Sequence, residues 1–130
     1  MTPHRWRVRV YYEDVDLAGI VYHANHLRYI ERARSEMVRE AGIDQAAMRA
    51  EGLVFVVTRI VADYLRPARY DDVLDIDTVL EEAGRARFTM AQVVSRAGEP
   101  LFRASVTVAC MDLAGRPRRL PPGVAAMAVG

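Results

Sequence analysis

Lysine is missing from this 130-residue chain, and all 18 of its Lys+Arg residues are arginine. That absence removes a Schiff-base lysine, a phosphate-gripping P-loop lysine and a lysine general base from consideration. Cysteine occurs once, at Cys110, so no internal disulfide can form. Its place in an apolar stretch reads as a small buried hydrophobe. No run approaches the ~18 consecutive apolar residues of a membrane span, and the basic residues 1–9 lack the apolar core of a signal peptide. The expected compartment is the cytoplasm. A formal net charge of +1 supplies no long-range field toward nucleic acid or an anionic membrane surface, so neither is expected as a partner.

What remains is ordinary globular material, with 52% hydrophobic and 27% charged residues, enough apolar content to exclude a disordered chain. The length suits one domain over residues 1–130 with a sizeable core and leaves no room for a separate cofactor-binding domain.

Trp6, Val8, Val10 and Tyr12 alternate with Arg5, Arg7, Arg9 and Tyr11, the period of a first strand. Residues 13–19 break the alternation with acids and a glycine. Asn25 is placed as an N-cap, and Leu27, Ile30, Ala33, Met37 and Ala41 recur at steps of three and four. The spacing predicts a long amphipathic helix over residues 26–41, with an Arg32–Glu36 ion pair on its wet face and Gly42 at C′. A short helical turn capped by Asp44 follows. Residues 53–65 are apolar on both faces, which predicts a central or interface strand. Three more strands follow, over residues 73–80, 85–96 and 101–111. In the first, Leu74, Ile76 and Leu80 stand opposite Asp75 and Asp77; in the last, Phe102, Ala104, Val106, Val108 and Cys110 share one face. A Pro/Arg/Gly loop and one loose helical turn close the chain. The expected class is α+β, an antiparallel sheet curled around one long helix, and its outer face must find water or a partner chain.

The densest polar cluster is Glu13-Asp14-Val15-Asp16, with Gly19 and then Tyr22-His23-Ala24-Asn25-His26 at the helix start. A helix N-terminus offers unpaired N–H groups and a positive dipole end, a site for a developing oxyanion. A carboxylate beside it points to acyl transfer, and Gly19 permits close approach. Each residue also has a plainer role. Asp14 or Asp16 can form an Asx turn. His23 suits a general base or a structural histidine packed at the helix start. Tyr11, Tyr12 and Tyr22 suit a pocket wall or the core. His23, His26, Asp14 and Asp16 match no recognised ligand spacing, so no metal is expected. Arg116, Arg118 and Arg119 suit a solvated loop or a phosphate-rich ligand tail.

The run from Tyr11 through Asp14, Asp16, Gly19, Tyr22 and His23 to Asn25 closely resembles the signature of the 4-hydroxybenzoyl-CoA thioesterase superfamily, which has the hotdog fold. Within it the resemblance is to the Tol–Pal-associated acyl-CoA thioesterase branch. That branch also shows Glu31-Arg32-Ala33-Arg34, Tyr64-Leu65-Arg66-Pro67-Ala68-Arg69 before Asp71-Asp72, and an Arg-Pro-Arg-x-Leu-Pro run like that beginning at Arg116. The resemblance implies a curled sheet around a central helix and hydrolysis of acyl-CoA to a carboxylic acid and CoA, without metal or organic cofactor. It implies Asp16 as nucleophile or general base, and the His23 backbone N–H as the group polarising the thioester carbonyl, with the His23 side chain assisting. Gly19, Tyr22 and Asn25 would border the substrate, and Arg116, Arg118 and Arg119 would meet the CoA phosphates. Val15, Leu17, Ala18 and His26 depart from the commonest pattern at positions bordering the acyl pocket. The strand over residues 53–65 fits a family dimer joined edge to edge, so a homo-oligomer is implied, a dimer or a homotetramer built as a dimer of dimers. An acyl carrier protein is a second candidate partner. Two rival readings are a hotdog acyl-thioester dehydratase or hydratase, and a non-catalytic module binding acyl-CoA or acyl carrier protein.

Overall fold

The computed structural model describes residues 2–128. Met1, Val129 and Gly130, the ends of the expected domain and of its closing helical turn, lie outside them. The elements are β1 (His4–Arg9), α1 (His23–Glu40), α2 (Gln45–Ala50), β2 (Leu53–Tyr64), β3 (Val73–Ala83), β4 (Arg87–Arg96) and β5 (Glu99–Asp112), followed by a 3-10 segment at Pro122–Ala128. The strands form one antiparallel sheet in the order β1-β3-β4-β5-β2.

The core lies where α1 crosses the sheet. Tyr29, Ile30, Ala33, Met37 and Val38 project from the helix onto Leu74, Ile76, Phe88, Met90, Val94, Phe102 and Val106, all buried. The expected core face of β5 is buried from Phe102 to Cys110, which makes Cys110 an interior residue. Gln92 is the polar exception in this layer. Its amide donates to the Ile30 carbonyl and to Thr78 Oγ1, both at 2.9 Å, so its burial leaves no donor unpaired.

Local chemistry sets the element ends. At the end of α1, Gly42 takes φ +84°, the Gly42 N–H bonds Arg39 O and the Ile43 N–H bonds Val38 O. This is a Schellman motif, and its hydrophobic contact joins Val38 and Ile43. Asp44 accepts the Ala47 N–H at 3.1 Å and caps α2 as expected. Ala97 and Gly98 both have positive φ in the two-residue β4–β5 turn, the geometry a tight hairpin of primed type demands.

Four expectations need correction. The first strand ends at Arg9, and Tyr12 enters a 3-10 turn at Tyr12–Asp14. The helix begins at His23, with Tyr22 as N-cap; Asn25 lies inside its first turn because its side chain bonds Asp14 instead of a backbone N–H. Glu36 pairs with Arg39 at i,i+3, while Arg32 lies 5.9 Å over the Tyr29 ring. Finally, β2 is not central: it is the sheet's edge, paired only with β5, and most of its side chains are exposed.

Candidate active site

Residues 10–22 form a tight loop between β1 and α1. Val15 and Val21 pair as a lone antiparallel bridge. Inside it the Asp16 N–H donates to Ile20 O, and Asp16 O accepts the Gly19 N–H, each at 2.9 Å. Gly19 holds φ +78°, which glycine adopts without steric cost. Asp16 Oδ1 accepts the Ala18 N–H at 2.8 Å. The Asx turn is therefore real, and it fixes an exposed carboxylate whose Oδ2 has no partner among the described residues.

Asp14 is used differently. It is only 6% exposed, and it accepts the Tyr11 N–H at 2.8 Å and the Asn25 amide at 2.9 Å. Its carbonyl accepts the Tyr22 N–H at 2.9 Å. Asp14 and Asn25 together lock the loop to the first turn of α1. One donor of the Asn25 amide is thus already engaged.

No side chain caps α1 and no acid occupies its first turn. The Asn25 N–H turns back to Tyr22 O at 2.8 Å, while the His23 and Ala24 N–H groups have no partner among the described residues. This is an open helix N-terminus of the kind that receives negative charge.

Asp16 and His23 line one cleft of about 430 Å³ with Ile20, Val21, His26 and Tyr64. The Tyr64 hydroxyl donates to the His23 carbonyl at 2.7 Å and ties the end of β2 to the helix start. His26 stacks on Phe102 with ring centres 4.9 Å apart and a 10° interplanar angle, and meets the edges of Tyr64 and Tyr29. Burial lowers its pKa to about 4, so it is neutral at physiological pH. The same cause pushes the Tyr64 phenol up. His26, which the resemblance sets beside the acyl pocket, and Tyr64, part of the branch pattern, both line the cleft, although the resemblance assigns neither a role in the reaction. Their signal was there: His26 follows His23 by three, and Tyr64 ends the apolar strand.

Gly19 and Tyr22 are exposed beside this cleft, the Tyr22 ring 4.4 Å from that of His23. Tyr11 and Tyr12 are neither core nor cleft: they are 61% and 82% exposed. Arg66 also lines the cleft, while the clustered arginines lie elsewhere in the chain. Arg116 and Arg118 fold back on Asp112 and Cys110, beside the Leu53 end of β2. The cleft lies at the Tyr64 end, roughly 35 Å of strand away. One chain does not bring the two together. Among the described residues no group of three or more His, Cys, Asp or Glu side chains is arranged to hold a metal.

A five-stranded antiparallel sheet packed on one long helix, with a carboxylate loop leading into that helix, defines the hotdog class of thioesterase. The model of the Thioesterase-like superfamily matches residues 10–127. The acyl-CoA thioester hydrolase YbgC of Escherichia coli is 42% identical over 127 residues, 96% of this chain and 95% of that protein. A crystal structure from Aquifex aeolicus superposes with a TM-score of 0.89 at 32% identity, covering 97% of this chain and 99% of that one. A 1,4-dihydroxy-2-naphthoyl-CoA thioesterase from Synechocystis reaches the same TM-score, 0.89, at 22% identity, covering 96% and 94%, and speaks for the fold alone. The chain belongs to the thioesterase-like superfamily and is an enzyme, a thioester hydrolase.

Proposed function

We propose that this enzyme hydrolyses acyl-CoA thioesters to a carboxylic acid and CoA, with Asp16 as its catalytic carboxylate. One observation carries the reading: an exposed, turn-fixed carboxylate and an uncapped helix N-terminus share the wall of one cleft. The thioester carbonyl accepts a hydrogen bond from the His23 N–H, and the helix end stabilises the oxyanion as it forms. Asp16 Oδ2 then either attacks the carbonyl carbon, expelling CoA thiolate and leaving an anhydride that water opens, or takes a proton from the attacking water. In single-turnover hydrolysis in heavy-oxygen water, label in Asp16 marks the nucleophilic route with water opening the anhydride at the Asp16 carbonyl. Trapping of the acyl-enzyme by hydroxylamine detects that route when water attacks the acyl carbon instead. The YbgC relative, an acyl-CoA thioester hydrolase by name, supports the substrate class.

The same reading makes the active enzyme a homo-oligomer built on a dimer. If two copies join antiparallel along β2 about a twofold axis, the Leu53 end of one meets the Tyr64 end of the other. Arg116, Arg118 and Arg119 of the second copy then approach the first copy's cleft, where CoA phosphates need cations. Removing these charges is expected to raise KM for CoA esters more than for small thioesters. Equal effects on both would count against phosphate contacts there.

The deciding test is thiol release from a panel of acyl-CoA and acyl carrier protein thioesters, with Asp16→Ala alongside. The expected result is turnover by wild type and a loss of at least ~100-fold in the variant, with unchanged circular dichroism. Wild-type rates in Asp16→Ala overturn the mechanism. Hydration of crotonyl-CoA without hydrolysis favours the dehydratase rival; tight binding without thiol release favours the binding module.

A further inference from the structure

A second cavity, of about 130 Å³, opens between α1 and the sheet at the Leu53 half of β2, lined by Phe55, Val57, Phe88, Met90, Val108 and Arg34. Arg34 is the anomaly. One of its nitrogens donates to Gln92 Oε1 at 3.1 Å, and Gln92 is in turn fixed by Ile30 and Thr78. No ion pair among the described residues involves the guanidinium, although a cation drawn out of water is costly without a partner. Glu31, one turn back, lines the same cavity and its charge reaches Arg34, but its carboxylate accepts the Ser35 hydroxyl and makes no direct ion pair with the guanidinium. Desolvation pulls the Arg34 guanidinium below its ordinary pKa, the mark of a charge held away from water.

Between this cavity and the cleft, which share no lining residue, runs an apolar strip of β2. Val57, Ile60 and Tyr64 stand opposite Val108, Val106 and Phe102 on the helix-facing side of the sheet. Those β5 partners are buried, yet Val57 is 41%, Ile60 38% and Tyr64 50% exposed. The helix therefore leaves a strip of its own side of the sheet open, from the cleft to Arg34. The eleven helical steps from His23 to Arg34 rise about 16 Å. At ~1.2 Å per bond of extended chain, that span takes roughly a dozen bonds.

Resting on the thioesterase reading, we infer that this strip is the floor of a trough that receives the acyl chain and that Arg34 reads an anionic group at its far end. The substrate class is a medium-chain thioester with a terminal carboxylate. An apolar trough alone accepts any fatty chain; the unpaired cation at its end selects one that brings its own negative charge. Arg34 is thus a specificity residue, remote from the reacting atoms.

The test uses CoA thioethers, which bind but cannot be hydrolysed, with and without a terminal carboxylate at about six, twelve and sixteen carbons. Calorimetry on wild type should show the twelve-carbon carboxyl compound binding roughly tenfold or more tighter than its alkyl twin, with no such gain at six carbons. Arg34→Gln, which can keep the hydrogen bond to Gln92, should erase the gain, and Arg34→Lys should keep part of it. Equal affinity of the twins in wild type, or a gain that survives Arg34→Gln, overturns the inference. Should Arg34→Gln fail to fold, the length profile in wild type decides by itself. Because no turnover is needed, this outcome is separate from that of the Asp16→Ala assay: a hydrolase with indifferent twins refutes only the role of Arg34.

Discussion

The two edges of the sheet are built on opposite plans. β1 is 6 residues long and carries Arg5, Arg7 and Arg9, which bond Asp77, Asp75 and Asp71 on the same outer face. β2 is 12 residues long and exposes Val56, Val57, Ile60 and Val61. A short edge studded with arginines resists pairing with another chain, whereas a long apolar edge invites it. One edge is finished within the chain and the other is not. The cleft proposed as the active site lies at the unfinished one, against Tyr64, so completing the sheet and completing that site are one event under the dimer reading.

The comparison breaks most visibly if charge is placed on β2. Val56→Asp combined with Val61→Asp, both off the helix-facing side, should give single protomers in sedimentation velocity and lower CoA-ester turnover at least ~100-fold, since like charges would face across a twofold interface. Wild-type protein that sediments as a single protomer would remove the distinction between the edges. A smaller effect comes from pH. His26, beneath the Tyr64 end of β2, has a folded pKa of about 4 against an ordinary value of 6.5. The unfolded chain therefore binds a proton that the folded chain refuses between those values, and stability falls as pH drops below 6.5. The loss is about 2 kcal/mol at pH ~5 and nearly absent at pH ~7. Urea titrations of wild type and His26→Phe at both pH values should show it; a pH-independent difference would reject it. Next, Asn25→Ala leaves the buried Asp14 carboxylate short of a donor and should cost about 1.5 kcal/mol in the same titration. A variant as stable as wild type would mean that Asp14 does not need it. Last, Arg5→Ala on the β1 edge should leave the unfolding midpoint within the scatter of wild type, because exposed ion pairs contribute little.

Much of the fold was legible because periodicity reports faces directly. Leu74, Ile76 and Leu80 against Asp75 and Asp77, and the run from Phe102 to Cys110, lie as the alternation demands. Gly42 and Asp44 were legible because their roles are local. Asn25 misled because a capping residue and a buried hydrogen-bond donor look alike until the loop carrying Asp14 is folded beside it. For β2 only the central half of the reading fails: two apolar faces signal cover on both sides, and the strand's own chain supplies little of it, which leaves the interface alternative. In the site, the loop from Asp14 to His23 was visible as a run of chemistry. His26, Tyr64 and Arg34 stood in the sequence pattern without an assigned task, because cleft and trough arise only where β2 passes the helix. The separation of Arg116, Arg118 and Arg119 from the cleft depends on strand direction, which no residue announces.

The uncapped start of α1 carries a thermodynamic consequence. In most helices a serine, threonine or aspartate side chain closes the first turn, worth about 1 kcal/mol. Here the His23 and Ala24 N–H groups wait for an oxygen from outside the chain. A ligand that supplies it stabilises the folded state in proportion to its occupancy, by RT ln(1 + [L]/Kd). On the proposed reading the helix is finished by what it binds. Under the proposed function its melting point is a readout of occupancy, and a carboxylate product held in the cleft would protect the fold as it inhibits the enzyme.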